Sequence, residues 1–360
     1  MRILRTSDEF AAELQEFMCA AVQRRKDDDG LGGARGGKSR NLEDLDSDGG
    51  NRLVCVTGGV SYLGRAVVER LLIHGYSVRI VVASPEEEEQ VREMGISGET
   101  ASFNNRISAV MARLTDIGSL IQAFDGCFGV FHTSAFIDQA GISGYSKSMA
   151  ELEAKVSEAV IEACTRTGSV RKCVFTSSLL ACIWQDGSLC DLPAVVNDEC
   201  WSQEQVCTQK KLWYALGKLK AEKAAWRIAG EKGLKLATIC PALITGPDFF
   251  PRNPTSTLAY LKGAEEMYGK GVLATVDVKR VAKAHVFLFE GMNRASASGR
   301  YICFDNVVMC RHSAEKLAKV IGINPHKLCG HSGHPPSSVL SDKKLLHLMS
   351  RTLTSCSQQT

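Results

Sequence analysis

Short, mostly apolar runs at residues 53–56, 78–82, 107–111, 129–132, 172–176 and 235–240 alternate along this chain with stretches of helical periodicity. Nearly continuous apolar strands of that length are buried on both faces. Between them, 66–74, 149–166 and 218–232 place apolar residues three and four apart. The first and last of these stop at Gly75 and Gly233, where a helix commonly ends. Strands that alternate with helices predict an α/β fold: a doubly wound parallel sheet covered on both sides.

The pattern weakens after Pro241. Pro247, Pro251 and Pro254 mark an irregular loop, and helices are expected at 278–290 and 313–321. The expected organisation is therefore 51–245 as the nucleotide-type sheet domain and 246–360 as mainly a small C-terminal substrate lobe, with the loop 183–210 contributing. Before it, Phe10, Leu14, Phe17, Met18 and Val22 fall at helical spacing behind the capping residues Ser7 and Asp8. Residues 26–50 are Gly, Asp, Lys and Arg with little to bury, the composition of a disordered linker. The N-terminal helix is left to dock on the body or to bind a partner.

Composition narrows the function classes. The chain has 360 residues, 44% apolar and 23% charged, with a formal net charge of +3. That balance suits a globular protein with a real core, and the scattered charge argues against nucleic acid. No apolar run approaches the roughly 20 residues of a membrane helix. Asp8, Glu9, Glu13 and Glu16 interrupt any secretory or transit signal, so the cytosol is expected. The 14 cysteines show no paired spacing, and Cys55, Cys173 and Cys240 sit in strand-like runs as small hydrophobes. His326, Cys329, His331 and His334 have zinc-ligand types, but no second ligand pair accompanies them, and no metal is expected.

Thr57-Gly58-Gly59-Val60-Ser61-Tyr62-Leu63-Gly64 follows the first strand and opens the first helix. Glycines at such a turn let backbone approach a pyrophosphate, and the helix N-terminus supplies free N–H groups. In that setting the turn marks a Rossmann-type dinucleotide site. Downstream, Tyr214-Ala215-Leu216-Gly217-Lys218 puts a phenol and an ammonium on one helix face. A carbonyl reductase needs such a pair, because a neighbouring ammonium draws the tyrosine's proton affinity down toward the working range. Val174-Phe175-Thr176-Ser177-Ser178 ends the fifth strand, where a hydroxyl can meet a substrate carbonyl.

With these motifs the chain resembles the extended short-chain dehydrogenase/reductases of plants, in particular the cinnamoyl-CoA reductase group, with the dihydroflavonol reductases more distant. The resemblance runs from Arg52 to Arg351. It rests on Val54-Cys55-Val56-Thr57-Gly58, Gly129-Val130-Phe131-His132-Thr133, Asp198-Glu199-Cys200-Trp201-Ser202, Gly299-Arg300-Tyr301 and above all Leu212-Trp213-Tyr214-Ala215-Leu216-Gly217-Lys218. It implies a reductase in which Ser178 bonds the substrate oxygen, Tyr214 gives the proton, and Lys218 positions the ribose. Gly58, Gly59, Ser61, Tyr62, Leu63 and Gly64 would hold the pyrophosphate, Thr133, Ser134 and Ala135 the ribose, and Pro241, Ala242, Leu243 and Ile244 the nicotinamide. The implied cofactor is NADP, with NAD open, and the implied substrate a phenylpropanoid carbonyl or acyl-CoA thioester. The alternatives are a ketone or aldehyde reductase of dihydroflavonol-reductase type, and a dinucleotide-binding regulatory protein with little turnover.

Four departures bear on those roles. Ser61 replaces the middle glycine of the turn and loses freedom at positive φ. Ala83 stands where the family has an arginine for the NADPH 2′-phosphate, and Ser84, Pro85 and the acids Glu86 to Glu89 follow it. Arg113 replaces an acid that contacts adenine. Leu212 replaces a polar residue beside the substrate. Arg79 or Arg92 is expected to stand in for the missing arginine.

Overall fold

The computed structural model describes residues 52–96, 105–133, 145–185, 195–293, 297–330 and 338–357. These belong to one unit, Gly50–Thr360. The expected N-terminal helix and linker lie outside the described residues.

Seven strands form the central sheet: β1 (Leu53–Thr57), β2 (Ser77–Val82), β3 (Ile107–Met111), β4 (Gly129–His132), β5 (Lys172–Thr176), β6 (Lys235–Pro241) and β7 (Gly299–Cys303). Every pairing between them is parallel, in the spatial order β7-β6-β5-β4-β1-β2-β3. After β3 the chain returns to lay β4 on the other side of β1. The order reverses there, and beyond the carboxyl ends of those two strands lies the crevice where open α/β sheets bind ligands.

Strand periodicity explains why both faces are covered. Val54, Val56, Val78, Ile80, Phe131, Val174 and Ile239 share one apolar cluster with helices α1 (Tyr62–Ile73) and α2 (Pro85–Ile96). The alternate residues Cys55, Val81, Val130, Cys173 and Phe175 join a second cluster with α3 (Ile117–Phe124), α4 (Lys147–Arg166) and α5 (Trp213–Lys232). Side chains that point alternately up and down need an apolar partner on each side. Cys55, Cys173 and Cys240 are fully buried free thiols, as a strand-core reading requires.

The segment 246–360 does more than build a lobe. Its helix α6 (Val278–Gly291) packs into the first cluster, and it supplies β7, the edge strand of the sheet. The lobe itself is seeded by a small sheet of Leu243–Thr245, Ala274–Asp277 and Asn306–Val307. Short helices Phe249–Arg252, Pro254–Tyr260 and Ala264–Lys270 fill the proline-rich loop.

Candidate active site

The glycine turn closes tightly over the end of β1. Gly58 has φ +69°, and its carbonyl accepts the Ser61 N–H at 3.0 Å. A Cβ on Gly64 would lie 2.0 Å from that carbonyl, so only glycine fits there. Ser61 has φ −68°, an ordinary extended conformation, and no glycine is needed at that position. Its Oγ accepts the Gly64 N–H at 3.0 Å and caps α1. The cap also explains why α1 begins at Tyr62 rather than at 66.

Across the switch point, Thr133 donates both its N–H (3.3 Å) and its Oγ1 (2.8 Å) to the Thr57 carbonyl. His132 meets Thr57 Oγ1 at 2.7 Å through Nδ1. Burial, with Lys218 nearby, lowers the His132 pKa to about 3, so this ring is neutral and structural. Ser134 and Ala135 lie outside the described residues.

One cleft joins this turn to the carboxyl ends of β5 and β6. Its walls include Ser61, Tyr62, Leu63, Thr133, Ser178, Tyr214, Lys218, Pro241, Ala242, Leu243 and Ile244. Gly58, Gly59 and Gly64 shape the turn behind it. The two serines at the end of β5 are held differently. Ser177 Oγ donates to the buried Glu222 at 2.6 Å, whereas Ser178 Oγ accepts the Leu180 N–H at 3.2 Å and keeps its own proton for another acceptor. Helix α5 starts at Trp213, five residues earlier than its apolar periodicity suggested, which places Tyr214 in its first turn and Lys218 one turn on. The Lys218 ammonium stands 5.8 Å from the centre of the Tyr214 ring.

Neighbours with no motif of their own complete the Tyr214/Lys218 end of the cleft. Glu153 on α4 binds Lys218 Nζ at 2.6 Å, with both side chains almost fully buried. Tyr145 donates its hydroxyl to the other Glu153 oxygen and sets its ring edge-on to Tyr214, centroids 5.1 Å apart. Burial raises the Tyr214 pKa; Lys218 opposes that rise and Glu153 adds to it. Burial alone would lower the Lys218 pKa, but Glu153 and Tyr214 raise it. One turn further along α5, Glu222 is fully buried and receives Ser177, Thr238 and Arg300, the last at 2.7 Å. Arg300 also donates to the carbonyls of Asp198 and Cys200 and stacks 3.5 Å over Trp201. The two motifs around Asp198 and Arg300 are thus tied together beneath the cleft floor.

The lobe adds Asn253, Ser256, Thr257 and Tyr260 to the cleft wall. Sequence reasoning missed them; the one available signal was Pro254, which sits at the start of the helix Pro254–Tyr260. Leu212, expected beside a substrate, is instead buried in the first apolar cluster at the start of α5 and is absent from the cleft wall. The fallback arginines are also displaced. Arg79 donates to the carbonyls of Ala123 and Asp125 at the far end of α3, and Arg92 pairs with Glu88 and Glu89 on its own helix. Arg113 is exposed, and its N–H bonds Ser119 Oγ at 3.2 Å. His326 and Cys329 belong to a short helix, while His331 and His334 lie outside the described residues.

A family model described as "NAD dependent epimerase/dehydratase family" matches residues 54–301. The chain belongs to that family. Within it the chain groups with cinnamoyl-CoA reductases. It is 36% identical to cinnamoyl-CoA reductase 1 of Petunia hybrida over 271 residues, which is 74% of this chain and 77% of that protein. It is also 31% identical to tetraketide alpha-pyrone reductase 1 of Arabidopsis thaliana, covering 71% of this chain and 77% of the relative. Among solved structures, vestitone reductase from alfalfa superposes with a TM-score of 0.60 at 23% identity, covering 82% of this chain and 91% of that one, a likeness of fold. The glycine turn fits a dinucleotide: Gly58 takes the positive φ of the tight turn, and Gly64, without a Cβ, lets the start of α1 close onto the Gly58 carbonyl at the mouth of the cleft.

Proposed function

We propose that this chain is an NADPH-dependent reductase of a carbonyl or acyl-CoA thioester of phenylpropanoid type, working in the cytosol with Ser178, Tyr214 and Lys218 as its catalytic residues. The convergence of those three side chains on the cleft that starts at the glycine turn carries this reading. Identity of 34–36% to several plant cinnamoyl-CoA reductases supports the substrate class. Among the described residues no helix is long and apolar enough to cross a membrane.

Bound NADPH would supply a hydride to the substrate carbonyl carbon. Ser178 donates a hydrogen bond to the carbonyl oxygen and orients it. Tyr214 passes its hydroxyl proton to that oxygen as negative charge builds there. Lys218 has three N–H donors; one goes to Glu153, and the others would hold the nicotinamide ribose. With a thioester the product of this step is a hemithioacetal, whose collapse releases coenzyme A as the thiol and leaves the aldehyde. Thr133, with Ser134 and Ala135 after it, would face the ribose, and Pro241, Ala242, Leu243 and Ile244 the nicotinamide ring.

For the 2′-phosphate, Arg65 and Arg252 are the better candidates. Arg65 donates to the Val60 carbonyl at 2.9 Å and to Gln90 at 3.0 Å, bridging the glycine turn to the helix after β2. Arg252 faces the same hollow beside Ser61 and Tyr62. Burial lowers the Arg65 pKa, and the neighbouring Arg252 guanidinium lowers it further, a pairing that an anion would relieve.

The test is NADPH oxidation by the purified protein across cinnamoyl-type CoA esters, free aldehydes and ketones. Turnover of the CoA esters that disappears in Tyr214→Phe is expected. Turnover of free carbonyl compounds alone would replace the thioester by the ketone or aldehyde alternative. Tight dinucleotide binding with no turnover anywhere would leave the regulatory alternative.

A further inference from the structure

The buried carboxylate of Glu153 takes no part in the proton transfer described above, yet it grips the residue that tunes it. Both of its oxygens are committed, Oε1 to Lys218 at 2.6 Å and Oε2 to the Tyr145 hydroxyl. The space for this arrangement comes from Gly217. A Cβ there would stand 3.0 Å from both the Ala150 backbone and the Tyr145 hydroxyl, tighter than ordinary van der Waals contact, so glycine at 217 eases the close approach of α5 to α4. The pair is almost fully buried, where charges interact strongly.

Net charge decides the consequence. A lone ammonium beside Tyr214 would stabilise its phenolate. An ammonium closed by a carboxylate presents the phenol with a neutral pair, and much of that stabilisation is cancelled. The other titratable groups around the pair are the neutral His132 at the end of β4, Glu222 one turn along α5, and Tyr260 from the lobe. Glu222 is itself closed by Arg300, and Tyr260 is held in its neutral phenol form by burial. Glu153 is therefore the group that offsets Lys218 most directly.

We propose that Glu153 is a positioning residue that fixes the Lys218 ammonium and, together with Tyr145, keeps Tyr214 protonated through neutral pH as a proton donor. The proposal rests on the reductase reading only for what that proton does; the titration itself belongs to the free protein. Reduction consumes a proton from Tyr214 at each turnover, whereas the reverse alcohol oxidation needs the phenolate to accept one. Glu153 thus places the useful pH range of reduction high and delays that of oxidation to alkaline pH.

The experiment is an ultraviolet titration of tyrosinate on the full chain, with the Tyr214 midpoint isolated as the difference from Tyr214→Phe. Glu153→Gln keeps the shape and an acceptor for Lys218 but removes the charge. Its Tyr214 midpoint should fall by about one to three pH units, and Glu153→Asp should stay near the parent. Tyr145→Phe removes only a hydroxyl donor, leaves the carboxylate's charge less satisfied, and should move the midpoint up. It serves as the deciding variant if Glu153→Gln does not fold. Unchanged midpoints in the folded variants would overturn the proposal. Midpoints that shift in a protein that turns over no carbonyl would uphold it and remove the reductase reading instead. If turnover is present, the pH limit of reduction should move down with the midpoint in Glu153→Gln.

Discussion

The two ends of the cleft are built to different standards. At the proton-transfer end each group is held by a buried, charge-satisfied neighbour: Lys218 by Glu153, and Ser177 and Arg300 by Glu222. At the cofactor-phosphate end the groups are partly or wholly exposed. Glu87 folds back to accept the Ala83 N–H at 2.7 Å, and Arg65 and Arg252 face an open hollow. Burial makes geometry expensive to change, so the first end should tolerate almost no substitution. Exposure screens charge, so the second should respond in modest, separable steps.

The sharpest break in that contrast is Tyr214→Phe, which removes one oxygen from the first end. Turnover should drop about 10²–10⁴-fold, the usual worth of a positioned proton donor, with dinucleotide affinity nearly unchanged by calorimetry. The parent's pH profile follows from the same residue. Burial and Glu153 raise the Tyr214 pKa, so the donor form persists through neutral pH and reduction should decline only in the alkaline range. A decline that begins near neutrality would mean that Lys218 outweighs burial and Glu153 together.

Arg300→Met probes the support beneath that end. It would leave Glu222, fully buried, without its counter-charge. Removing one partner of such a pair costs about 3–5 kcal/mol, visible as a large fall in Tm. Adding Glu222→Gln should restore part of it, because the stranded charge is then gone. No recovery in the double variant would mean that the Trp201 stacking and the carbonyl bonds of Arg300, rather than its charge, hold this floor.

Legibility in the sequence followed the same divide. The strands, the glycine turn and the Tyr214/Lys218 pair were readable because each is specified by residues near one another in the chain. Glu153 carried no signal, because its partner lies on a different helix and any helix face carries glutamates. Glu222 and Arg300 are 78 residues apart, and a buried acid mid-helix looks like a solvated one until the tertiary packing is known. β7 was missed because Arg300 and Tyr301 break its apolar run and an irregular lobe precedes it. Arg79 and Arg92 were chosen on type and proximity in sequence, which carry no information on their partners: Arg79 bonds the carbonyls of Ala123 and Asp125, and Arg92 pairs with glutamates of its own helix.

At the phosphate end, Arg65→Ala and Arg252→Ala should each weaken NADPH about tenfold, near 1.4 kcal/mol, while leaving NADH affinity almost unchanged. Glu87→Gln should favour NADPH slightly by removing a negative charge beside Ala83. Calorimetry with the two dinucleotides checks all three. Equal losses for NADPH and NADH would place the arginines on the pyrophosphate instead.

The smallest expected effect is at the turn. Ser61→Gly exchanges the α1 cap for the glycine found in the family's pattern. The observed φ of −68° shows that glycine's freedom is not needed here, and a glycine cap costs only about a few tenths of a kcal/mol. It also releases the Gly64 N–H, now bonded to Ser61 Oγ, to a phosphate oxygen. Stability should therefore fall slightly, while affinity for both dinucleotides rises by a similar factor, since the pyrophosphate is common to them. A large loss of stability would show that the Ser61 cap holds the whole turn. A gain for NADPH alone would put the 2′-phosphate, rather than the pyrophosphate, against Gly64 and bring the two ends of the cleft closer in character than their burial implies.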